Sequence, residues 1–262
     1  RILSSAASDV YKRQPHAYAA YMAKKILDEN GYKIPIITTL HGTDITLVGN
    51  HPFYKPAVTF SINKSDIVTC VSNSLRDDTR EFFGIKRDID VIPNFIDIDK
   101  YANKHHLCER NMIAQGDEKI IVHISNFRPL KRIIDVLKIF EKISQKINSK
   151  LIMVGDGPDK KKAKDFLRKN DLKNKVVFLG KTNEIDEILC SSDLFLLPSE
   201  KESFGLAALE AMALKVPVIS SNVGGLKELN INGNSGYTSD VGDIDSMSNN
   251  AIEILSNENL NK

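Results

Sequence analysis

The chain has 262 residues, 42% of them hydrophobic and 27% charged, with 36 Lys plus Arg against 34 Asp plus Glu. That is the composition of ordinary folded domains, one large or two small, and it excludes collagen-like and disordered classes. A net charge of +2 sets up no field that argues for nucleic acid. No run approaches the ~20 apolar residues that cross a bilayer, and the start does not resemble a secretory signal. The partners expected are small molecules, met in the cytoplasm. Cys70, Cys108 and Cys190 lie far apart with no Cys-x-x-Cys pair, so neither a disulfide framework nor a thiolate zinc site is expected. His105 and His106 lack metal-ligand spacing and read as a solvated linker.

In chain order, Arg1 to Gln14 shows little apolar periodicity and is read as foreign or misassembled sequence, the plainer alternative being a native strand and loop. From Pro15 to Asn30, Ala19, Met22, Ala23, Ile26 and Leu27 recur at helical spacing, and Gly31 stands where a helix would stop. Ile34 to Leu40 is an apolar run without alternation, which suits a strand covered on both faces. A loop at His41 to Asn50, a helix near Tyr54 to Asn63, a strand Ile67 to Val71, a helix Ser74 to Phe83 and a strand Ile89 to Ile92 follow. Asp97 to Asp117 is polar and holds a linker. Beyond it, strands are expected at Ile120 to Ile124, Leu151 to Val154, Val176 to Leu179, Leu194 to Leu197 and Val216 to Ser220. Helices are expected between them near Leu130 to Ile147, Asp159 to Asn170, Glu184 to Cys190 and Phe204 to Leu214. Strands alternating with helices predict an α/β fold of two parallel-sheet, Rossmann-like domains. The division expected is a first domain at 15–100, a linker at 101–117, a second domain at 118–250 and a short tail at 251–262.

Three tempting motifs fail on spacing. Gly180-Lys181-Thr182 resembles the tail of a P-loop, but Lys175 stands where that loop needs Gly. Gly155-Asp156-Gly157 opens like a dinucleotide fingerprint, but Lys160 occupies the third Gly position. Asp88/Asp90, Asp97/Asp99 and Asp243/Asp245 could mimic metal-binding pairs, yet they fall at strand starts or in linkers and read as solvated charges.

What remains is a polar set at the carboxyl ends of the second domain's strands. Ser125, Asn126, Arg128, Lys131 and Arg132 follow the first strand, and cations with free amides there suit a phosphate. Gly155 to Pro158 and Gly180 to Thr182 follow the next two, where small residues let a planar group approach the backbone. Pro198 to Gly205 follows the fourth and leads into a helix. Glu202 and Glu210 can accept hydrogen bonds from hydroxyls, as a sugar would require, and the amides of Ser203 to Leu206 suit a diphosphate. The plainer reading of Glu210 is a solvated helix residue, against which stand its apolar neighbours Leu209, Ala211 and Met212.

The run Glu202-Ser203-Phe204-Gly205-Leu206 to Glu210-Ala211-Met212-Ala213, followed by Val216-Pro217-Val218-Ile219, resembles the signature of retaining glycosyltransferases with two facing Rossmann-like domains (GT-B, family 4). Pro93-Asn94, Gly155-Asp156-Gly157-Pro158 and Gly224-Gly225 occur in that family's order, and the likeness runs from Pro15 to about Asn250. More narrowly, Thr39 to Thr46, Pro93 to Asp97 and Ser125 to Arg132 resemble the subfamily that joins N-acetylglucosamine to L-malate in bacillithiol biosynthesis. The resemblance implies UDP-N-acetylglucosamine as donor, L-malate as acceptor, retained anomeric configuration, no cofactor and no metal, and leaves room for a homo-oligomer.

Carried over by residue, the resemblance implies that Lys131 neutralises the leaving diphosphate with Asn126 or Arg128, and that Glu202 holds the sugar hydroxyls and Glu210 the ribose. Leu179, Gly180 and Lys181 would hold the uracil, with Gly155, Asp156, Ser203, Phe204, Gly205 and Leu206 completing the donor site and His41 facing the sugar. Ser72, Asn73 and Arg76, with Thr43 nearby, are the acceptor residues expected for a dicarboxylate; the plainer alternative is a helix cap with Arg76 paired to Glu81 or solvent. Family members begin with a strand and glycine-rich loop that have no counterpart here, so the chain reads as truncated at its start. A relative with another acceptor and a nucleotide-sugar-binding fragment without catalysis are the competing readings.

Overall fold

A computed structural model describes residues 16–42, 45, 54–102, 108, 110 and 114–257. Arg1 to Gln14, Thr43, Asp44, Thr46 and the His105-His106 pair lie outside them. The chain forms two compact units that divide between Asn94 and Phe95.

The first unit runs α1 (His16–Glu29), β1 (Ile37–Leu40), α2 (Lys55–Lys64), β2 (Ile67–Cys70), α3 (Asn73–Phe83) and β3 (Asp90–Val91). Its three strands are parallel in the order β1-β2-β3. Leu40, Val68 and Cys70 are buried, whereas Ile37 and Ile67 at the strand starts are exposed, so the expectation of a strand covered on both faces holds only towards the carboxyl end of β1. Ile34 to Ile36 stay outside the ladder; Asp66 accepts the Ile36 amide at 2.6 Å and the Lys24 ammonium at 2.6 and 2.9 Å. The Lys24 bond and then the amide hold the Asp66 carboxyl below its usual range.

The second unit adds α4 (Ile98–Ala102), β4 (Lys119–Ile124), a 3₁₀ turn (Pro129–Lys131), α5 (Ile133–Ser144), β5 (Ser149–Val154), α6 (Lys160–Lys169), β6 (Val176–Gly180), α7 (Ile185–Cys190) and β7 (Leu194–Leu197). It continues with α8 (Leu206–Ala213), β8 (Val218–Ser221), α9 (Leu226–Leu229), β9 (Gly236–Ser239) and α10 (Ile244–Ser256). The six strands are parallel in the order β6-β5-β4-β7-β8-β9. This is the doubly wound order, which reverses direction between β4 and β7 and opens a crevice at their carboxyl ends.

Alternate residues of each strand feed opposite cores. Ile121, Leu151, Met153, Leu194, Leu196 and Ile219 pack with α5, α6 and α10, and Ile120, Val122, Ile152, Val154, Phe195 and Leu197 pack with α4, α7, α8 and α9. Burial on both faces explains the unbroken apolar strands of the sequence.

Four local differences from the sequence reading have physical causes. The helix expected from Leu130 is broken at Arg132, whose φ of 51° is left-handed, so Lys131 sits on a tight turn and α5 starts at Ile133. The helix expected from Phe204 starts at Leu206, after Gly205 at φ 101°, where a Cβ would also lie 2.6 Å from Leu226 Cδ2. The linker read at 101–117 is preceded by α4, whose Tyr101 is buried in the second unit's core, and α10 runs without a break across the boundary drawn at 250.

A further difference corrects a cysteine reading: Cys108 and Cys190 form a disulfide, their Cα atoms 5.7 Å apart. The two are 82 residues apart in sequence, a separation with no local signature. Asp243 and Asp245 have structural roles instead of metal geometry. Asp243 caps α10 by accepting the Ser246 amide at 3.0 Å, and Asp245 pairs with Lys142 at 2.6 Å.

Candidate active site

The loops that leave β4 and β7 meet at the reversal of strand order. Lys131, from the β4 loop, forms an ion pair with Oε1 of Glu202, from the β7 loop. The same oxygen accepts the hydroxyl of Ser199 at 3.0 Å, and Ser199 is fully buried. Both charged side chains are largely covered, at 17% and 12% exposure, so the pair is shielded and each partner is costly to leave alone. The Glu200 amide donates to Leu130 O at 2.7 Å, which holds the two loops together through backbone.

Asn126 and Arg128, both exposed, flank Phe127, which is fully buried. This turn rests on the loop after β5, because a Cβ on Gly155 would lie 1.8 Å from Ser125 O and one on Gly157 2.0 Å from Asn126 O. Only glycine allows that approach. Asp156 accepts the Lys160 ammonium at 3.2 Å and the Gly157 amide at 3.0 Å, and these two bonds lower its pKa. Lys160, which spoiled the dinucleotide fingerprint, is thus part of this loop's own structure. Gly180 O accepts the Gly155 amide at 2.7 Å, with Leu179 and Lys181 exposed beside it.

On the far side, Gly224 stacks on Glu202, where an added Cβ would lie 1.8 Å from Glu202 O, and the Gly225 amide donates to that oxygen at 3.0 Å. Among the described residues no side-chain hydrogen bond caps the start of α8 after Gly205, and first-turn amides of a helix suit an anion. Glu210 lies within α8 and is half-buried. Tyr101 of α4 is buried close enough that the Glu210 charge, after burial itself, helps raise the phenol's pKa.

The second unit therefore brings Asn126, Arg128, Lys131, Gly155, Asp156, Glu202 and Ser203 to one end of its sheet. His41 follows β1 in the first unit and is half-buried. Ser72 caps α3, its hydroxyl accepting the Leu75 amide at 3.1 Å, and Arg76 pairs with Asp77 at 2.9 Å rather than with Glu81. Asn73 is the first residue of that helix.

Residues 109–262 match the family described as glycosyl transferases group 1, and residues 11–100 match glycosyltransferase family 4. The chain belongs to the group 1 glycosyl transferases. It is 43% identical over 250 residues to an N-acetyl-alpha-D-glucosaminyl L-malate synthase of Bacillus anthracis, covering 95% of this chain and 65% of that one. It is 30% identical to an uncharacterised glycosyltransferase of Methanocaldococcus jannaschii, covering 89% of this chain and 62% of that one. The chain thus spans a little under two thirds of the length of both relatives. Among solved structures, Anabaena HepE in complex with UDP and glucose superposes with a TM-score of 0.83 at 21% identity, covering 95% of this chain and 68% of that one. Likeness at that identity concerns the fold.

Within this glycosyltransferase, the sequence reading gave no role to Ser199, which bonds Glu202, or to Tyr101, whose phenol lies within reach of the Glu210 charge. Ser199 precedes the signature with no motif of its own, and Tyr101 sits in a segment whose polarity reads as linker. The stacking of Gly224-Gly225 on Glu202 was visible only as two adjacent glycines.

Proposed function

We propose that the protein transfers N-acetylglucosamine from UDP-N-acetylglucosamine to L-malate with retention of anomeric configuration. The observation that carries this reading is the 43% identity over 95% of the chain to the Bacillus anthracis synthase. The Lys131–Glu202 pair at the crevice of the second sheet supports it, because it gathers a cation for a diphosphate and a carboxylate for sugar hydroxyls at one point.

In this reading the diphosphate lies between the start of α8, Lys131 and the Asn126–Arg128 turn, with Glu210 on the ribose and Leu179, Gly180 and Lys181 at the uracil. The malate hydroxyl oxygen bonds to the sugar's anomeric carbon on the face that the diphosphate leaves. As the bond from that carbon to the phosphate oxygen breaks, the hydroxyl proton passes to the departing phosphate. No protein nucleophile is needed, and catalysis rests on orientation and on stabilising the departing charge. Lys131 and the α8 amides supply that stabilisation without a metal.

Thr43, Ser72, Asn73 and Arg76 are the acceptor residues proposed, with His41 toward the sugar. The proposal includes a cytoplasmic setting; among the described residues no helix is long and apolar enough to cross a membrane. In a reducing cytoplasm the Cys108–Cys190 pair would stand mainly as two neighbouring thiols. The test is UDP release by the full-length gene product from UDP-N-acetylglucosamine with L-malate. Dependence on malate supports the reading, and equal release with water or unrelated hydroxy acids overturns the acceptor assignment.

A further inference from the structure

His123 is an imidazole on β4, fully buried among apolar strands, immediately below the loop that carries Asn126, Arg128 and Lys131. Its Nδ1 lies 2.8 Å from Leu196 O on the neighbouring strand β7, and its Nε2 lies 2.8 Å from Ser125 Oγ. A carbonyl oxygen can only accept, so Nδ1 must hold a proton. Burial depresses the ring's pKa to about 4, with the Lys131 charge adding to it against the Leu196 bond, so the ring is neutral and holds that one proton. Nε2 then accepts, and the Ser125 hydroxyl must donate to it. That leaves the Ser125 oxygen's lone pairs for the Phe127 amide, which donates to it at 3.2 Å.

The Phe127 amide is where this chain of bonds matters. Phe127 has a φ of 41°, a left-handed conformation that costs a non-glycine residue free energy and needs support from its surroundings. Its ring lies nearly parallel to His123, centroids 6.2 Å apart, and edge-on to Phe178. Its carbonyl accepts the Asp159 amide at 3.0 Å. With Phe127 anchored downward, Asn126 and Arg128 project on either side of it.

We infer that His123 is a positioning residue for the donor site: as an Nδ1–H imidazole it orients the Ser125 hydroxyl, whose oxygen pins the Phe127 amide and so sets the turn that presents Asn126 and Arg128 to a diphosphate. The inference rests on the donor reading given above and adds to it a residue that touches no substrate.

Two substitutions separate this role from core filling. In His123→Gln the terminal amide reaches the place of Nε2 and its oxygen can accept from Ser125. In His123→Asn the shorter amide reaches the place of Nδ1 and can only keep the bond to Leu196 O. Calorimetry with UDP on the 262-residue chain should show affinity within about threefold of wild type for Gln, and a loss of roughly tenfold for both Asn and Ser125→Ala, the worth of one hydrogen bond. In the Ser125→Ala background the Gln and Asn variants should become equal, because the bond that distinguishes them is gone.

Nitrogen-15 spectra of the wild-type histidines, with His123 assigned by its loss in the Gln variant, should show a protonated Nδ1 and a bare Nε2. A proton on Nε2, or equal UDP affinities for Gln and Asn in a wild-type background, overturns the inference. If the wild type does not bind UDP, the donor reading fails instead, and the spectra still decide the direction of the His123 bonds. Should both histidine variants fail to fold, the spectra and Ser125→Ala decide: unchanged UDP affinity in Ser125→Ala overturns the role.

Discussion

Lys131 and Glu202, 71 positions apart in the chain, are joined as an ion pair where the second sheet reverses its strand order. Each is the group that the proposed chemistry needs for a different part of the donor, Lys131 for the diphosphate and Glu202 for the sugar. Because each group satisfies the other in this ion pair, a donor that engages either one has to share or exchange it.

This predicts opposite effects of the two partners on UDP, which carries the phosphates but no sugar. Lys131→Ala should weaken UDP by about 1.5 to 3 kcal/mol, the range for a hydrogen bond to a charged group. Glu202→Gln leaves a shielded ammonium without its counter-charge, and UDP relieves that cost, so UDP should bind roughly threefold or more tighter while sugar transfer falls. Calorimetry with UDP checks both. Weaker UDP binding in Glu202→Gln would mean that the pair does not compete with phosphate.

Glu210→Ala should weaken UDP more than it weakens uracil, since only the nucleotide carries ribose. Competition of both ligands against one fluorescent UDP analogue measures the difference. Equal losses would count against a ribose contact.

UDP affinity should stay within about twofold when a chelator is added, because in the proposed site Lys131 and the α8 amides supply the positive potential for the diphosphate. A tenfold loss in a calorimetric titration with EDTA would show that a divalent cation belongs in the site.

The proposed acceptor site rests on Arg76, whose guanidinium is paired with the exposed Asp77. Such a pair is weak and can yield to a dicarboxylate. In the full-length gene product, Arg76→Ala should raise the Michaelis constant for malate at least about fivefold while that for the donor stays within twofold, in keeping with a charge-assisted hydrogen bond. If both constants stay within twofold, Arg76 is a surface residue and the acceptor site lies elsewhere.

His123 also makes a prediction about pH and stability. Its folded pKa, about 4, lies below the 6.5 of the free ring, so the unfolded chain binds the extra proton first. Stability is then full above pH ~6.5 and declines as pH falls toward 4, by about 3 kcal/mol if this histidine acts alone. Urea unfolding between pH 7 and 4.5 should show that decline, and His123→Gln should flatten it. An unchanged slope in the variant would assign the decline to other groups.

The alternation of strands and helices in both units was legible from the sequence, because strands buried on both faces must be apolar throughout and their helices must repeat at helical spacing. Leu194–Leu197 was read with its observed bounds for that reason. That the residues proposed for the donor gather at one end of the second sheet was legible too, since they follow apolar strands whose carboxyl ends the sequence locates. Less local elements were not. Gly236–Ser239 forms an edge strand beside β8 with no apolar run to announce it, since partial exposure removes the pressure for one. Near the end, α10 carried its signal in Ile244, Met247, Ala251, Ile254 and Leu255, but its polar residues masked the stripe.

What the tertiary structure alone decided is who meets whom. Lys131 faces Glu202 because Arg132 turns left-handed before α5, and a single φ is invisible in a pattern of apolar residues. His123 sits in a strand that reads as simply apolar, yet its two nitrogens find Leu196 and Ser125 only when β4 lies against β7. Cys108 and Cys190 become neighbours by the same long-range packing. Periodicity reports which face of an element is buried, whereas hydrogen bonds and ion pairs between elements depend on strand order and loop geometry, which no local window contains.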